Sequence, residues 1–216
     1  MYCIFHLPRT GSRYLHSLIN SSLSYLDPRH IGTELEPFNP ATNTDESIKK
    51  KYIDCTTSIP PKTVKLTINH YPWLAEEFIQ NPNYKTIFIK PQNYRNRLLK
   101  ALVEKELGTF SNGTDRKYTR QQFIGKLSFS NELIEERFVN YKTHMEYEHL
   151  CDYMFYDEFI FHNSFDVMEV LNLTYVTPRY RHVPPYYSDI EMLKDINEFN
   201  TRYDKISMKL FGKIIC

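Results

Sequence analysis

The chain lacks the features of a membrane-spanning or secreted protein. No stretch approaches the roughly 20 consecutive apolar residues that a bilayer-spanning helix needs, and the first residues have the pattern of a core strand rather than that of a signal peptide. The cysteines are few, far apart and without a C-x-x-C pair; they are Cys3, Cys55, Cys151 and Cys216. This spacing favours reduced structural thiols. We therefore expect a cytoplasmic protein that does not bind membranes.

The chain also lacks a strong charge of either sign. Its formal net charge is +1 over 216 residues, so no overall field attracts nucleic acid, and any site for an anion must be local. No Gly/Ser-rich or Pro-rich linker, internal repeat or low-complexity tract divides it. Because 216 residues suffice to bury one core, we expect a single domain over residues 1–216 and no nucleic-acid partner.

Short apolar runs alternate along the chain with segments of helical spacing. The runs typical of buried strands are residues 2–7, 64–68, 85–90 and 153–156, with a further short extended segment at 31–37. Helical spacing follows the first run and recurs at residues 93–107, 131–150, 165–173 and 188–211. This alternation predicts an α/β fold, a central parallel sheet with helices on both faces in a three-layer sandwich. A ligand is expected at the carboxyl ends of the strands.

The first strand is followed at once by a loop suited to an anion, in the sequence "YCIFHLPRTGSRYLHSLI". The first amides of a helix have no partner within that helix, and its dipole favours negative charge there. A glycine at position 11 lets the backbone approach a bound group, while hydroxyl and guanidinium groups add donors. A phosphate or sulfate ester fits this loop best. The residues that we expect to bind it are Pro8, Arg9, Thr10, Gly11, Ser12 and Arg13.

The loop differs from the P-loop of nucleotide-hydrolysing proteins. That motif, G-x-x-x-x-G-K-[ST], needs a lysine for the terminal phosphates and a hydroxyl for magnesium. Neither stands at the corresponding place here. A metal-independent relative of the nucleotide kinases therefore stays an alternative, as does an ordinary strand-to-helix turn with solvated arginines.

Several segments resemble the carbohydrate sulfotransferases, in particular the bacterial type that modifies Nod factors and trehalose. "LPRTGSRYLHSLINSS" followed by "TELEPFNP" is similar to the family's Pro-Arg-(Ser/Thr)-Gly-(Ser/Thr) loop, leucine-rich helix and following Glu. Later segments similar to the family come in the same order: "VKLTINHYPWL", "TIFIKPQNYRNRLLKAL", "MFYDEFIF" with "FDVMEVLNL", and "YDKISMKLFG". The resemblance implies a P-loop-like fold and a sulfotransferase that uses 3′-phosphoadenosine-5′-phosphosulfate (PAPS) as donor. The implied acceptor is a carbohydrate or another small hydroxylated molecule.

The resemblance also implies roles for single residues. Glu36 and His70 fall at family positions for the base that removes the acceptor's proton, a role that contributes about 10²-fold to 10⁴-fold to a rate. Glu34 stays a fallback for Glu36, because a shift of one residue exchanges the two faces of a strand. Arg9 and the loop amides are expected to neutralise charge on the transferred group and the leaving phosphate.

The segment that would hold the donor's 3′-phosphate departs from the family pattern. The family's arginine falls on Gln92 and its serine on Lys100, whereas Asn93 keeps the asparagine of the bacterial type. An uncharged glutamine cannot replace a bidentate arginine. Arg95 and Arg97, together with Lys100, bring cations to the same helix and are our candidates for this phosphate. Because of the departures, a non-catalytic nucleotide-binding module is the second alternative.

No metal is expected in the reaction. The segment "HMEYEHLCD" contains histidines, carboxylates and a cysteine, but their spacing matches no standard zinc pattern. The residues that hold magnesium in P-loop proteins are missing, which assigns the neutralisation of charge to arginines.

The two classes of site residue are expected to respond differently to substitution. Arg9→Ala should weaken donor binding, because it removes a charge-assisted contact, whereas Glu36→Gln should mainly lower turnover. Steady-state kinetics with varied PAPS separate the two effects. A Glu36→Gln variant of normal rate, beside a His70→Ala variant with none, would make His70 the base.

Overall fold

The computed structural model describes residues 1–8, 10–27, 38, 44–60, 62–107, 121–178 and 189–216. Three candidate residues, Arg9, Glu34 and Glu36, lie outside the described residues, as does the predicted extended segment 31–37. Within these ranges, no helix is long and apolar enough to cross a membrane.

The described sheet has four strands that all run parallel. They are β1 (Tyr2–Phe5), β2 (Val64–Leu66), β3 (Lys85–Lys90) and β4 (Tyr153–Tyr156). Their order across the sheet is β2-β1-β3-β4. The strand β1 pairs with both β2 and β3, and Ile4 of β1 lies opposite Lys65 of β2 and Ile87 of β3. The predicted α/β class and parallel sheet are confirmed, and β1, which leads into the loop, is one of the two inner strands.

Helices occupy most of the remaining described chain. They are α1 (Ser12–Leu26), α2 (Asp45–Thr57), α3 (Pro72–Gln80), α4 (Tyr94–Glu106), α5 (Asn131–Met145), α6 (Asp157–His162), α7 (Ser164–Val170) and α8 (Ile196–Phe211). Short 3-10 turns cover Ile68–His70, Glu148–Leu150 and Ile190–Met192. Polar caps begin several helices; Asp195, for example, accepts the amides of Asn197 and Glu198 at the start of α8.

The chain divides into two compact units. The first comprises the described parts of Met1–Pro91 and Thr143–His182, and the second those of Gln92–Lys142 and Val183–Cys216. The whole sheet belongs to the first unit. The single domain that we predicted over residues 1–216 stays a prediction.

The core of the first unit lies on both faces of the sheet. On one face, Ile4 and Ile87 pack with α1, α6 and α7, through buried residues that include Leu15, Leu18, Ile160 and Val167. On the other face, Cys3 and Phe5 pack with α2 and α3, through residues that include Ile48, Cys55, Leu74 and Phe78. Alternate residues of β1 thus face opposite layers, as the pleat requires. The arrangement is compatible with the predicted three-layer sandwich.

The second unit is built around stacked aromatic rings. The ring of Tyr94 in α4 stacks on that of Tyr141 in α5, with centroids 4.0 Å apart. Phe138 of α5 packs on Tyr203 of α8 at 4.7 Å. The hydroxyls of two of these tyrosines donate to backbone carbonyls, that of Tyr94 to Arg137 and that of Tyr203 to Ile215. Buried tyrosines keep partners for their hydroxyls in this way.

Several predicted boundaries are wrong. The predicted strand 64–68 ends at Leu66, and the predicted helix 131–150 ends at Met145. The predicted helix 188–211 begins only at Ile196, after a 3-10 turn. The helices α2, α3 and α6 were not predicted. In α2 only Ile48 and Cys55 are buried, so its polar sequence carries little amphipathic signal.

Candidate functional site

The carboxyl ends of the four parallel strands meet at one edge of the first unit. The chain leaves β1 toward β2 on one side and leaves β3 toward β4 on the other. The order of connections therefore reverses between β1 and β3. Open parallel sheets bind their ligands at such a switch point, beyond the carboxyl ends of the strands. The loop between β1 and α1 lies at this edge.

The loop enters α1 through a glycine in the left-handed conformation. Gly11 has φ 74° and ψ 9°, and its carbonyl accepts the amides of Tyr14 (2.9 Å) and Leu15 (3.1 Å). Among the described residues, no acceptor pairs with the amides of Gly11 or Ser12. No acidic residue lies in the first turn of α1. Within the part of the chain that the structure describes, these N–H groups thus stand without an acceptor at the positive end of the helix dipole, an arrangement that suits an anion.

The side of Gly11 that a Cβ would occupy is covered by Phe161 of α6. A Cβ built there would lie 2.5 Å from Cζ of that ring. The ring also stacks on Tyr14, in the first turn of α1, with centroids 5.5 Å apart. From the sequence, we expected that glycine stands at position 11 so that a ligand can approach the backbone. In the structure, the positive φ and the phenylalanine ring already require glycine at this position.

The carbonyl of Leu7 fixes the two polar side chains on either side of it. The hydroxyl of Thr10 donates to it at 2.8 Å, and Nδ1 of His6 lies 3.1 Å from it. Thr10 is fully buried. Its hydroxyl hydrogen is therefore used within the loop rather than offered to an anion, which differs from the predicted role. Of the other predicted loop residues, Pro8 is exposed and Ser12 is buried.

His6 is a functional candidate that the sequence reasoning missed. It follows β1 directly, is only 7% exposed, and donates its amide to the carbonyl of Leu66 at 3.1 Å. Burial and the charge of Lys65, with smaller effects of His144 and His70, hold the pKa of His6 well below its usual range, although the bond to Leu7 raises it. The imidazole is therefore neutral at pH 7. A histidine immediately between a buried strand and a predicted anion loop is the signal that could have found it.

His144, in the last turn of α5, is a second buried imidazole at this edge. Its ring stacks on Phe88 with centroids 4.1 Å apart, and Nε2 donates to the carbonyl of Ile89 at 3.1 Å. Nδ1 is buried and, among the described residues, has no hydrogen-bond partner. Burial lowers the pKa of His144 to about 4, against the raising effect of the bond to Ile89. Both His6 and His144 therefore offer a lone pair rather than a charge.

The predicted base His70 is exposed, at the end of the 3-10 turn after β2. Its amide donates to the carbonyl of Thr67 at 3.1 Å. The expectation that a strand delivers this histidine is wrong, because β2 ends at Leu66. His70 nevertheless lies close enough to His6 to lower the pKa of that imidazole slightly. Lys65, from within β2, is 3% exposed and belongs to the same surroundings.

The residues expected to hold the 3′-phosphate lie in the second unit. Asn93 caps α4 by accepting the amide of Asn96 at 3.0 Å. Arg95 forms a short ion pair with Asp204, and its guanidinium lies 4.6 Å from the ring centroid of Tyr203. Its charge is thus already compensated within this unit. The phosphate roles of this set stay predictions; its members are Gln92, Arg95, Arg97 and Lys100.

No group of three or more His, Cys, Asp or Glu side chains in the described part of the chain is arranged to hold a metal ion. No protein-family model, curated protein or solved structure matches the chain. The interpretation of the site therefore depends on its own geometry.

Substituting Gly11 should be unusually costly. Gly11→Ala introduces both a left-handed alanine, which costs roughly 1–2 kcal/mol, and a contact with Phe161 that adds about 1–3 kcal/mol of overpacking. Gly212→Ala is the matched control, because Gly212 has φ 67° and no atom within 4 Å of its Cβ position. Urea unfolding measures the free energy of unfolding of both variants. In a Phe161→Ala background the excess at position 11 should disappear; equal losses for the two glycines without that background would contradict this packing.

Acid should destabilise the first unit through its buried imidazoles. The folded-state pKa of His144, about 4, lies below the ordinary imidazole value of 6.5, so the unfolded chain binds a proton more readily between these two pH values. Stability is complete above pH 6.5 and falls as pH drops toward 4, by on the order of 3 kcal/mol. His144→Gln should flatten this part of the stability profile, whereas substitution of the exposed His149 should not. An unchanged slope in His144→Gln would contradict the assignment.

Proposed function

We propose that the chain transfers a sulfuryl group from PAPS to a hydroxyl of a carbohydrate or another small acceptor, on a P-loop-like fold. The observation that carries the proposal is the junction of β1 and α1. There the amides of Gly11 and Ser12 have no acceptor among the described residues, at the carboxyl edge of a parallel sheet. A sulfate or phosphate oxygen complements both the amides and the helix dipole.

The charge around this junction supports an anionic ligand. Residues 1–26 contain no Asp or Glu, and Arg9 and Arg13 flank the glycine in sequence. Lys65 and His70 both lie close enough to His6 to lower the pKa of its imidazole, and neither is acidic. A cationic ligand would find no opposite charge among these side chains, whereas a sulfonated nucleotide would.

The loop sequence supports sulfuryl rather than phosphoryl transfer. The motif for magnesium and a terminal phosphate is missing, while the family-like segments follow one another in the order of carbohydrate sulfotransferases. In the proposed step the acceptor oxygen forms a bond to sulfur as the bond from sulfur to the bridging phosphate oxygen breaks. That oxygen keeps the electron pair, which the loop amides and Arg9 stabilise. Glu36 and His70 are the bases that the family resemblance proposes.

One observation favours a second candidate function, a module that binds the nucleotide without transferring sulfate. Arg95, the first cation after Gln92 along the chain, is already paired with Asp204. A phosphate bound by Arg95 would compete with that carboxylate. This departure from the family pattern favours a chain that binds a nucleotide without transferring sulfate.

Calorimetry with adenosine 3′,5′-bisphosphate tests the proposal. We expect the nucleotide to bind in preference to ATP, and Ser12→Asp to weaken binding at least tenfold, about 1.4 kcal/mol, because its carboxylate repels the ligand. Ser12→Asn, of equal size, should bind almost as the unaltered protein does. Because Ser12 is buried, urea unfolding of both variants checks that a loss of binding does not come from unfolding.

Other outcomes of this titration separate the alternatives. Tight binding without transfer to any acceptor of a sugar panel would identify a binding module, and preference for ATP a kinase-like protein. If neither nucleotide bound, the proposed function would be wrong.

A further inference from the structure

His6 has a role in the fold that leaves one of its ring nitrogens available. Its backbone is fixed to β2 by the bond from its amide to Leu66, and its ring is fixed by Nδ1 at 3.1 Å from the carbonyl of Leu7. A carbonyl only accepts, so the proton is on Nδ1. The hydroxyl of Thr10 holds the same carbonyl at 2.8 Å, which fixes its direction. The lone pair of the imidazole is therefore on Nε2.

This lone pair has no donor in the described structure. No hydrogen bond to Nε2 of His6 occurs among the described residues, and the side chain is more than nine-tenths buried. Nδ1 of His144, on the ring that contacts Ile89, is a buried acceptor without a donor among the described residues. Nε2 of His6 has a fixed lone pair that a hydroxyl-bearing molecule at this edge can donate to.

The surroundings keep the imidazole of His6 in its neutral form. The titratable groups that influence it are Lys65 from β2, His70 from the 3-10 turn after β2, and His144 from α5. All of them disfavour a positive charge on His6, and no carboxylate is among them. The ring is thus unprotonated at neutral pH, which a general base must be before it acts.

We propose that His6 is the general base of the transfer; this inference rests on the proposed function. The acceptor hydroxyl gives its proton to Nε2 while its oxygen bonds to sulfur. The bond between sulfur and the bridging phosphate oxygen breaks, and adenosine 3′,5′-bisphosphate leaves with the electron pair. The imidazolium then releases the proton to water. His6 replaces Glu36 and His70 in this role.

The test uses a substitution that removes Nε2 but keeps the bond that orders the loop. In His6→Asn the side-chain amide takes the place of Nδ1 and donates to Leu7. Transfer of radiolabelled sulfate from PAPS is measured with trehalose, glucose and N-acetylglucosamine, beside calorimetry with adenosine 3′,5′-bisphosphate. We expect nucleotide affinity within threefold of the unaltered protein and a transfer rate lower by about 10²-fold to 10⁴-fold. His149→Asn, an exposed control, should change neither.

The outcomes distinguish a failure of the proposed function from a failure of the role of His6. If the unaltered protein transfers sulfate and His6→Asn does so within threefold of its rate, His6 is not the base, while the proposed function stands. Failure of the unaltered protein both to bind the nucleotide and to transfer sulfate would reject the proposed function and this inference with it. If the unaltered protein bound the nucleotide but transferred no sulfate, it would be a binding module, and His6 would not be a general base.

If His6→Asn does not fold, the pH dependence of the unaltered protein decides. The rate should fall on the acid side of pH 6.5, with a midpoint that moves to lower pH on warming, as imidazoles do and carboxyl groups hardly do. His70→Asn should keep that acid limb. A midpoint independent of temperature, or loss of the limb in His70→Asn, would overturn the assignment of His6.

Discussion

The sharp turn from β1 into α1 is the constraint on which the rest of the site depends. At Gly11 the backbone takes a positive φ, and the ring of Phe161 lies where any side chain would be. The turn places the first amides of α1 at the carboxyl edge of an inner strand. Because every described strand is parallel, the loops that follow the other strands reach the same edge. This turn therefore determines where the loop between β1 and α1 lies, and with it the position of His6.

The carbonyl of Leu7 links this turn to the proposed chemistry. It accepts the hydroxyl of Thr10 and faces Nδ1 of His6, so the conformation of the loop and the tautomer of the imidazole depend on the same atom. The buried imidazoles stay neutral because burial and nearby positive groups oppose protonation. The edge thus combines amides for an anion with a lone pair for a proton. Sulfuryl transfer needs both groups.

Much of the sheet could be predicted from the sequence, because buried strands leave a strong local pattern. The strands 85–90 and 153–156 have the predicted bounds, since each is an apolar, β-branched or aromatic run with polar neighbours. The helix α2 was missed because it buries only two residues. The six residues of α6 are too few to show a helical period.

The site could be predicted only in part, because its chemistry depends on contacts between distant residues. The strand, loop and helix around Gly11 are local and were visible. The state of His6 depends on Lys65, which another strand supplies, and the compensation of Arg95 depends on Asp204, 109 residues further along the chain. Neither partner is marked by spacing or composition. The ring of Phe161 against Gly11 is likewise a tertiary contact that no motif contains.

The central claim is that the amides of Gly11 and Ser12, for which the described residues provide no acceptor, hold the anionic end of a nucleotide. A titration of the ¹⁵N-labelled chain with adenosine 3′,5′-bisphosphate, followed by the amide resonances of Gly11 and Ser12, tests it most directly. The account predicts that both amide protons move downfield and saturate together with the nucleotide's binding curve. Binding that leaves these two resonances in place while others move would contradict it.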